Sequence, residues 1–270
     1  MNTPEDLFKR LEQLNEVGAA LSKERDISRL LEHILLAAKT ITHADGGTLY
    51  RMTEDRRALR FEIIRTDSLG IAMGGTSGKE ISFPDLPLKN EAGANNDSMV
   101  AAYAAIHDKT VNIVDAYSAQ GFDFSGTRKF DERTGYRSTS FLTVPMKNHE
   151  GEIIGVLQLI NAKNPADGAV VPFSLADQSL AESLASQAAI ALTNRLLITQ
   201  LEELFESFIS LINLAIDEKS PYTGGHCQRV PVLTMMLAEA VNQTTEGPLA
   251  DFRMSDRDRY ELKIAGLLHD

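Results

Sequence analysis

The sequence predicts an α+β protein in which a segment of helices and antiparallel strands runs through one long helix into a purely helical tail. Three observations carry this. The hydrophobic period changes from helical to extended at Asp45, the run from Ser174 to about Lys219 holds neither Pro nor Gly, and beyond Pro221 two helical patterns flank the loop TTEGPLADFR. A period near 3.6 buries one side of a helix and a period of two buries one face of a strand, so a switch between them marks a change of element.

Residues 4–24 place Leu7, Leu11, Leu14, Gly18 and Leu21 in alternating steps of four and three. This narrow helical seam fits either packing on its own domain or a dimeric coiled coil. A second helix, Ile27 to His43, has a broad apolar face of Leu30, Leu31, Ile34, Leu35, Ala38 and Ile41. GGTLYRM and ALRFEIIRT, rich in β-branched and aromatic residues and bounded by turn-formers, read as adjacent antiparallel strands. A Gly-, Ser- and Pro-rich stretch from Ser68 to Pro87 precedes a helix over Ser98 to His107 and a short strand over Thr110 to Val114. The polar segment DAYSAQGFDFSGTRKFDERTGYRS reads as loop. STSFLTVPM and EIIGVLQLINA form two more strands, joined by KNHEG, where Glu150-Gly151 supplies the bend.

In the long helix, Ile190, Asn194, Leu197, Leu201, Leu204, Phe208, Leu211 and Ala215 recur in steps of four and three. That is about three heptads, and it predicts a parallel homodimer through residues 190–215, with residues 4–24 as a second contact. The tail reads as helices over His226 to Asn242 and Ser255 to His269, with Ser255 as N-cap and Asp256 and Asp258 favouring the helix dipole.

With 270 residues the chain has room for a substantial core and a second piece. No apolar run approaches the ~18 residues of a membrane span, and the polar, amphipathic start does not read as a signal peptide. A single cysteine, Cys227, excludes an internal disulfide framework and fits a reducing compartment, so a cytoplasmic, membrane-free protein is expected. A formal charge of -11 argues against a nucleic-acid partner, which needs a basic face to displace phosphate counterions.

Chemistry concentrates in the tail. His226 follows Gly224-Gly225 at a helix start, and His269 and Asp270 stand side by side at the last residues. Imidazole suits Fe, Zn, Ni and Mn, while a carboxylate favours harder ions and can bridge two of them. His226, His269 and Asp270 are therefore candidate metal ligands.

The order helix, two strands, variable loops, two strands and long helix, with RSTSFLTVPMKNHEGEIIGVLQLINAKN, resembles a GAF domain over about Ile27 to Arg195. The resemblance implies an antiparallel sheet with the terminal helices on one face and a pocket for a small molecule on the other. Cyclic-nucleotide-binding GAF domains carry an Asn-Lys pair followed at a distance by Phe, three residues and Asp-Glu. Here Asn161, Phe173 and Asp177 match, but Ala162 replaces the Lys and Gln178 the Glu, so the Lys–Asp ion pair is missing unless Lys163 substitutes. Loop position adds Arg137 and Thr139, with Ser138 and Asp115, as ligand-binding candidates; the ligand itself is unknown. A thioether-linked tetrapyrrole finds no cysteine in this region, and His43, His107 and His149 are weak haem-ligand candidates.

SPYTGGHCQRV, then a helix, then LKIAGLLHD, resembles the opening of an HD-GYP domain of the HD metal-dependent phosphohydrolases. This resemblance implies hydrolysis of cyclic di-GMP at a centre of divalent ions such as Fe or Mn. His226 and His269 would be ligands, and Asp270 a bridging ligand that acts with His269 in catalysis. Tyr222 stands where three-metal members carry a Glu, which implies two metals. Later His ligands, the GYP segment and a final Asp would fall beyond Asp270, so the expectation is a truncated chain, inactive alone. The implied division is 1–24 amphipathic helix, 25–195 GAF domain, 196–220 coiled-coil-like linking helix and 221–270 incomplete HD bundle. The alternatives are a non-catalytic sensing and dimerisation module, or an HD nucleotide phosphohydrolase.

Overall fold

The computed structural model describes residues 4–219 and 225–269, which fall into two compact units dividing at Arg195. Tyr222, Ser220-Pro221, Gly224 and Asp270 lie outside the described residues.

The first unit opens with helices α1 (Pro4–Leu21) and α2 (Ile27–Thr42), followed by strands β1 (Ala44–Met52), β2 (Ala58–Thr66), β3 (Ile71–Gly74) and β4 (Leu86–Pro87). Helix α3 (Val100–His107), strand β5 (Val111–Ile113), helix α4 (Ser125–Thr134) and strands β6 (Phe141–Lys147), β7 (Ile153–Lys163) and β8 (Val170–Val171) complete the mixed segment. Helix α5 (Leu175–Lys219) follows. The strands form one antiparallel sheet in the order β3-β2-β1-β7-β6-β5, with β4 added to β2 and β8 to β7.

Alternation gives the sheet two faces. On one, Gly47 lets α2 approach: a Cβ there would sit 2.8 Å from Leu35 Cδ1. Leu49, Leu157, Leu159, Leu142 and Val144 share this face by register and are buried. Leu30, Ile34, Leu35 and Ala38 of α2 and Leu180, Leu184, Ala188 and Leu192 of α5 are buried too. Each large side chain removed from water contributes about 1.5–3 kcal/mol, so this layer dominates the stability of the unit. Helix α1 joins it. A Cβ at Gly18 would run into the Gln187 amide of α5, and Leu14 and Leu21 are buried. Arg10, itself buried, donates Nε to the Ile41 carbonyl at 2.8 Å and pairs with Asp177 at the start of α5. Leu14, Gly18 and Leu21 of the predicted seam thus pack within their own unit, whereas Phe8 and Leu11 are exposed.

The opposite face receives α3, whose Ala101, Ala104 and Ala105 pack on Tyr50, Leu59 and Val156. A second apolar cluster joins Val100, Ile113, Phe124 and Phe141. The sequence reading missed α4 inside the polar segment, and also β3, β4 and β8. Helix α4 has no apolar stripe; its one fully buried residue is Asp131. That carboxylate accepts from the Tyr117 hydroxyl, the Ser138 backbone N–H and the Ser138 hydroxyl, each at 2.8 Å. The short strands β3 and β4 lie at the sheet margin, where Gly and Pro are tolerated.

In the second unit the later part of α5 meets α7 (Asp256–Leu267), where Lys263 Nζ donates to Glu206 at 2.6 Å, and α7 packs on α6 (His226–Asn242). Ile209 and Asn213 are buried, and Asn213 Nδ2 donates to the Leu267 carbonyl at 2.8 Å. Ser255 and Asp258 form the capping box that starts α7. Gly266 permits close approach of the two tail helices, since a Cβ there would lie 3.1 Å from Pro231 Cα. Among the described residues the second unit holds the end of α5, α6 and α7; a complete HD bundle is not observed.

Candidate functional site

Asn161 anchors the residues proposed for the ligand pocket. It sits in β7 with φ 56°, a left-handed conformation that Asn tolerates better than most residues. Its Oδ1 accepts from the backbone N–H groups of Thr139 at 2.7 Å and Ser140 at 3.2 Å, and its Nδ2 donates to the Arg137 carbonyl at 2.7 Å. The structure therefore brings Asn161, Arg137 and Thr139 together, with the buried amide shaping the strand entry. The Arg137 side chain is exposed and lies over the Tyr117 ring, 4.1 Å from its centroid. Asp115 accepts from the Tyr117 backbone N–H at 2.9 Å, a local turn bond.

Phe173 and Asp177 form a second group. Phe173 is buried, and its carbonyl accepts from Asn112 Nδ2 at 3.2 Å. Asp177 accepts from the Ser174 backbone N–H and hydroxyl and pairs with Arg10. The cation facing Asp177 is thus Arg10 of α1, a partner 167 residues away that motif spacing does not reveal. Lys163 does not substitute. It pairs with Asp45 and donates to the Ser68 hydroxyl at 2.9 Å.

Asp45 is itself a hub. Tyr136 donates to it at 2.6 Å and the Ser68 hydroxyl at 2.6 Å, beside the Lys163 ammonium. Burial opposes ionisation of this carboxyl, but the hydrogen bonds from Lys163, Ser68 and Tyr136 outweigh it and hold its pKa below the usual range. Burial and the Asp45 carboxylate push the Tyr136 hydroxyl well up, so it stays a donor. A surface cavity of about 450 Å³ adjoins this hub, lined among others by Lys39, His43, Asp45, Asp67 and Lys163.

The open face of the sheet carries a further set that the sequence reading did not single out. Thr48, Gln158 and Thr143 stand directly opposite one another on β1, β7 and β6. Gln158 Nε2 donates to Thr143 Oγ1 at 3.1 Å, and the Tyr50 hydroxyl lies 3.3 Å from Gln158 Oε1. A lone Gln between Leu157 and Leu159 was the available signal, because alternation turns it away from their buried face.

In the tail, His226 and His269 meet. Their Nε2 atoms are 3.1 Å apart, the rings cross at 61°, and His269 Nδ1 lies 2.8 Å from the Gly266 carbonyl. A neutral His269 that donates Nδ1–H to that carbonyl turns its Nε2 lone pair toward His226. Two nitrogens bound to one tetrahedral ion at about 2.0–2.1 Å would stand roughly 3.3 Å apart, so the pair fits two ligands of a shared cation. Among the described residues no group of three or more His, Cys, Asp or Glu side chains is arranged to hold an ion. Asp270, the third expected ligand, lies outside them.

Comparison with known proteins bears on the first unit. The chain is 32% identical over 149 residues to the cGMP-specific 3',5'-cyclic phosphodiesterase of Drosophila mojavensis, which takes in 53% of this chain and 12% of that protein. The chain thus spans only a small part of the curated relatives it matches. Two solved structures share the fold. The GAF domain of the Acinetobacter phosphoenolpyruvate-protein phosphotransferase superimposes with a TM-score of 0.51 at 14% identity, covering 71% of this chain and 98% of that one. The corresponding GAF domain from Coxiella burnetii gives 0.50 at 13% identity, covering 68% and 92%. Nothing in these matches extends an HD domain to the tail. No helix among the described residues is long and apolar enough to cross a membrane. The GAF domain profile matches residues 26–192, the stretch that holds the whole sheet, α2, α3, α4 and the first part of α5, and the chain belongs to the GAF domain family.

Proposed function

We propose that the chain is the sensory and first output portion of a signalling protein, in which a small molecule bound by the GAF domain controls an HD-GYP-type phosphodiesterase acting on cyclic di-GMP. The observation that carries the enzymatic half is the His226–His269 pair, two imidazoles 43 residues apart whose Nε2 atoms converge to 3.1 Å. His226, His269 and Asp270 would hold divalent ions such as Fe or Mn. A bound ion would supply a water acidic enough to yield hydroxide near neutral pH. The residues of this chain would fix the two imidazoles, through the Gly266 carbonyl and the close α6–α7 approach at Pro231. The division into residues 1–24, 25–195, 196–220 and 221–270 belongs to the same reading.

A second reading, a sensing and dimerisation module without chemistry, is favoured by the exposed face of α5. Leu197, Leu201, Leu204, Phe208 and Leu211 are 51%, 66%, 67%, 58% and 64% exposed. A second copy covering that face would form a homodimer through residues 190–215, with Phe8 and Leu11 on α1 as the other available contact.

The test is manganese binding and cyclic di-GMP hydrolysis by the longest gene product that contains this chain, beside its His226→Ala variant. Metal-dependent hydrolysis lost in the variant is expected. Neither metal binding nor hydrolysis in the parent protein would sink the enzyme and leave the module.

A further inference from the structure

Asn213 stands in the interior of α5, where Asn is a weak helix former, yet it is only 5% exposed. Ile209, one turn before it, is buried as well, so the two mark the face of α5 that is covered in the second unit. Leu204, Phe208 and Leu211 lie on the exposed side of the same helix. A leucine at position 213 would fill the covered face without an amide to satisfy, so the polar choice calls for a polar cause.

The Asn213 amide is used at the end of α7. Its Nδ2 donates to the carbonyl of Leu267, the last residue of that helix, at 2.8 Å. A carbonyl in the last turn has no acceptor role within its own helix, so the bond comes from outside. The preceding carbonyl, of Gly266, lies 2.8 Å from His269 Nδ1. Two consecutive carbonyls are thus held from two sources, one by α5 and one by the imidazole itself. With the Leu267 carbonyl held, the planar peptide leading to Leu268 is fixed, and one residue further the chain delivers His269 Nε2 to 3.1 Å from His226 Nε2.

Glu206 supplies a contrast on the same pair of helices. It accepts from Lys263 Nζ at 2.6 Å, one turn before Leu267, between side chains that are both partly exposed. That bond joins α5 to α7 but holds no backbone group next to His269.

We propose that Asn213 is the positioning residue of the His226–His269 pair: its amide ties α5 to the backbone that carries His269, so that the setting of α5 sets the convergence of the two imidazoles. This rests on the reading of that pair as part of a metal site. Partners that orient a ligating imidazole without touching the ion govern its affinity. The covered face and the exposed seam belong to one helix, so a turn of α5 about its axis moves Asn213 off the Leu267 carbonyl and lets the end of α7 relax. The site is then fully formed for one setting of α5 only.

Two measurements test this: the imidazole tautomers of this chain, read by NMR with isotope-labelled histidine and no metal, and manganese affinity of the longest gene product that contains it. The parent is expected to show a neutral imidazole with its proton on Nδ1, the signature of His269 donating to the Gly266 carbonyl, assigned by its loss in His269→Gln. Asn213→Leu, which fills the same face without a donor, should turn that signature into a mixture of tautomers and weaken manganese about tenfold or more. Asn213→Asp, matched in size but lacking the donor, should do the same, and it keeps the test open where leucine disturbs packing. Circular dichroism checks that each variant is folded. Glu206→Gln, which loosens the same helix contact elsewhere, should keep the signature and change manganese affinity by less than threefold. Equal losses from Asn213→Leu and Glu206→Gln would reduce Asn213 to helix docking and overturn the proposal. An unchanged tautomer and unchanged affinity in both Asn213 variants overturn it too, while leaving the metal reading intact. No manganese bound by the parent, with a tautomer that still depends on Asn213, would sink the metal reading and support the positioning role.

Discussion

The two units of the chain treat their surfaces in opposite ways. In residues 1–195 polar side chains are turned inward and bonded: Arg10 to Asp177, Asp131 to Tyr117 and Ser138, Asn161 to the backbone of residues 137–140. In residues 196–270 apolar side chains are turned outward, on α5 from Leu197 to Leu214 and on α6 at Val232, Leu233, Met236 and Leu237. The first unit closes its own core and uses buried polar contacts to fix loops and helix ends. The second leaves apolar side chains exposed on α5 and α6, the surface to which the dimer proposed above assigns a second copy. Substitutions in the first should therefore read out in stability, and substitutions in the second in association.

The largest effect is expected at Arg10. Arg10→Met leaves the buried Asp177 carboxylate without its guanidinium and the Ile41 carbonyl without a donor, which should cost about 3–5 kcal/mol in urea unfolding at unchanged m-value. Adding Asp177→Asn removes the stranded charge, so the double variant should be more stable than Arg10→Met alone. A loss below about 1 kcal/mol would mean that α1 is not integral to the unit, and the contrast between the two parts would weaken.

A smaller effect is expected at Asp45, where pH sharpens the comparison. Because its folded carboxyl is held below the ordinary range, the stability it contributes is present above the usual carboxylate pKa. It is lost as pH falls through the lowered value. Lys163→Met removes one charged hydrogen bond and moves that carboxyl back up, costing about 1.5–3 kcal/mol at pH 7. The difference between parent and variant should shrink as urea midpoints are followed from pH 7 to pH 3. A gap that does not change with pH would show that Lys163 acts by packing.

What was legible in the sequence follows the same division between apolar and polar causes. Helices α2 and α5 and strands β1, β2, β6 and β7 announce themselves by period, and α7 by Ser255, because each is built on an apolar face or a local cap. Helix α4 is held by one buried carboxylate instead, so hydrophobic periodicity is blind to it. Asn161 was visible through resemblance, but its bonds to the backbone of residues 137–140 depend on strand pairing. Arg10 gave no local signal, since its partners lie 31 and 167 residues away. Gly266 was an ordinary small residue until Pro231 was found against it.

The smallest effect is expected on α5, where the outward face decides how many helices can meet. Leu201, Leu204, Phe208 and Leu211 form a narrow a/d seam, and Ile198, Phe205 and Ile212, 47%, 46% and 41% exposed, extend it by one position in each heptad. A two-stranded coil buries a and d fully and only grazes the flanking positions, whereas a larger bundle buries the wider stripe. The dimer proposed above therefore expects Leu204→Gln to weaken self-association at least tenfold, about 1.4 kcal/mol, in sedimentation equilibrium, and Phe205→Gln to weaken it by less than threefold. Equal losses would favour the wider bundle, and no loss from either would remove α5 as the dimer contact. Ile209 and Asn213 point the other way, into the contact with α7, so neither exposed-face substitution should move the unfolding midpoint of the first unit.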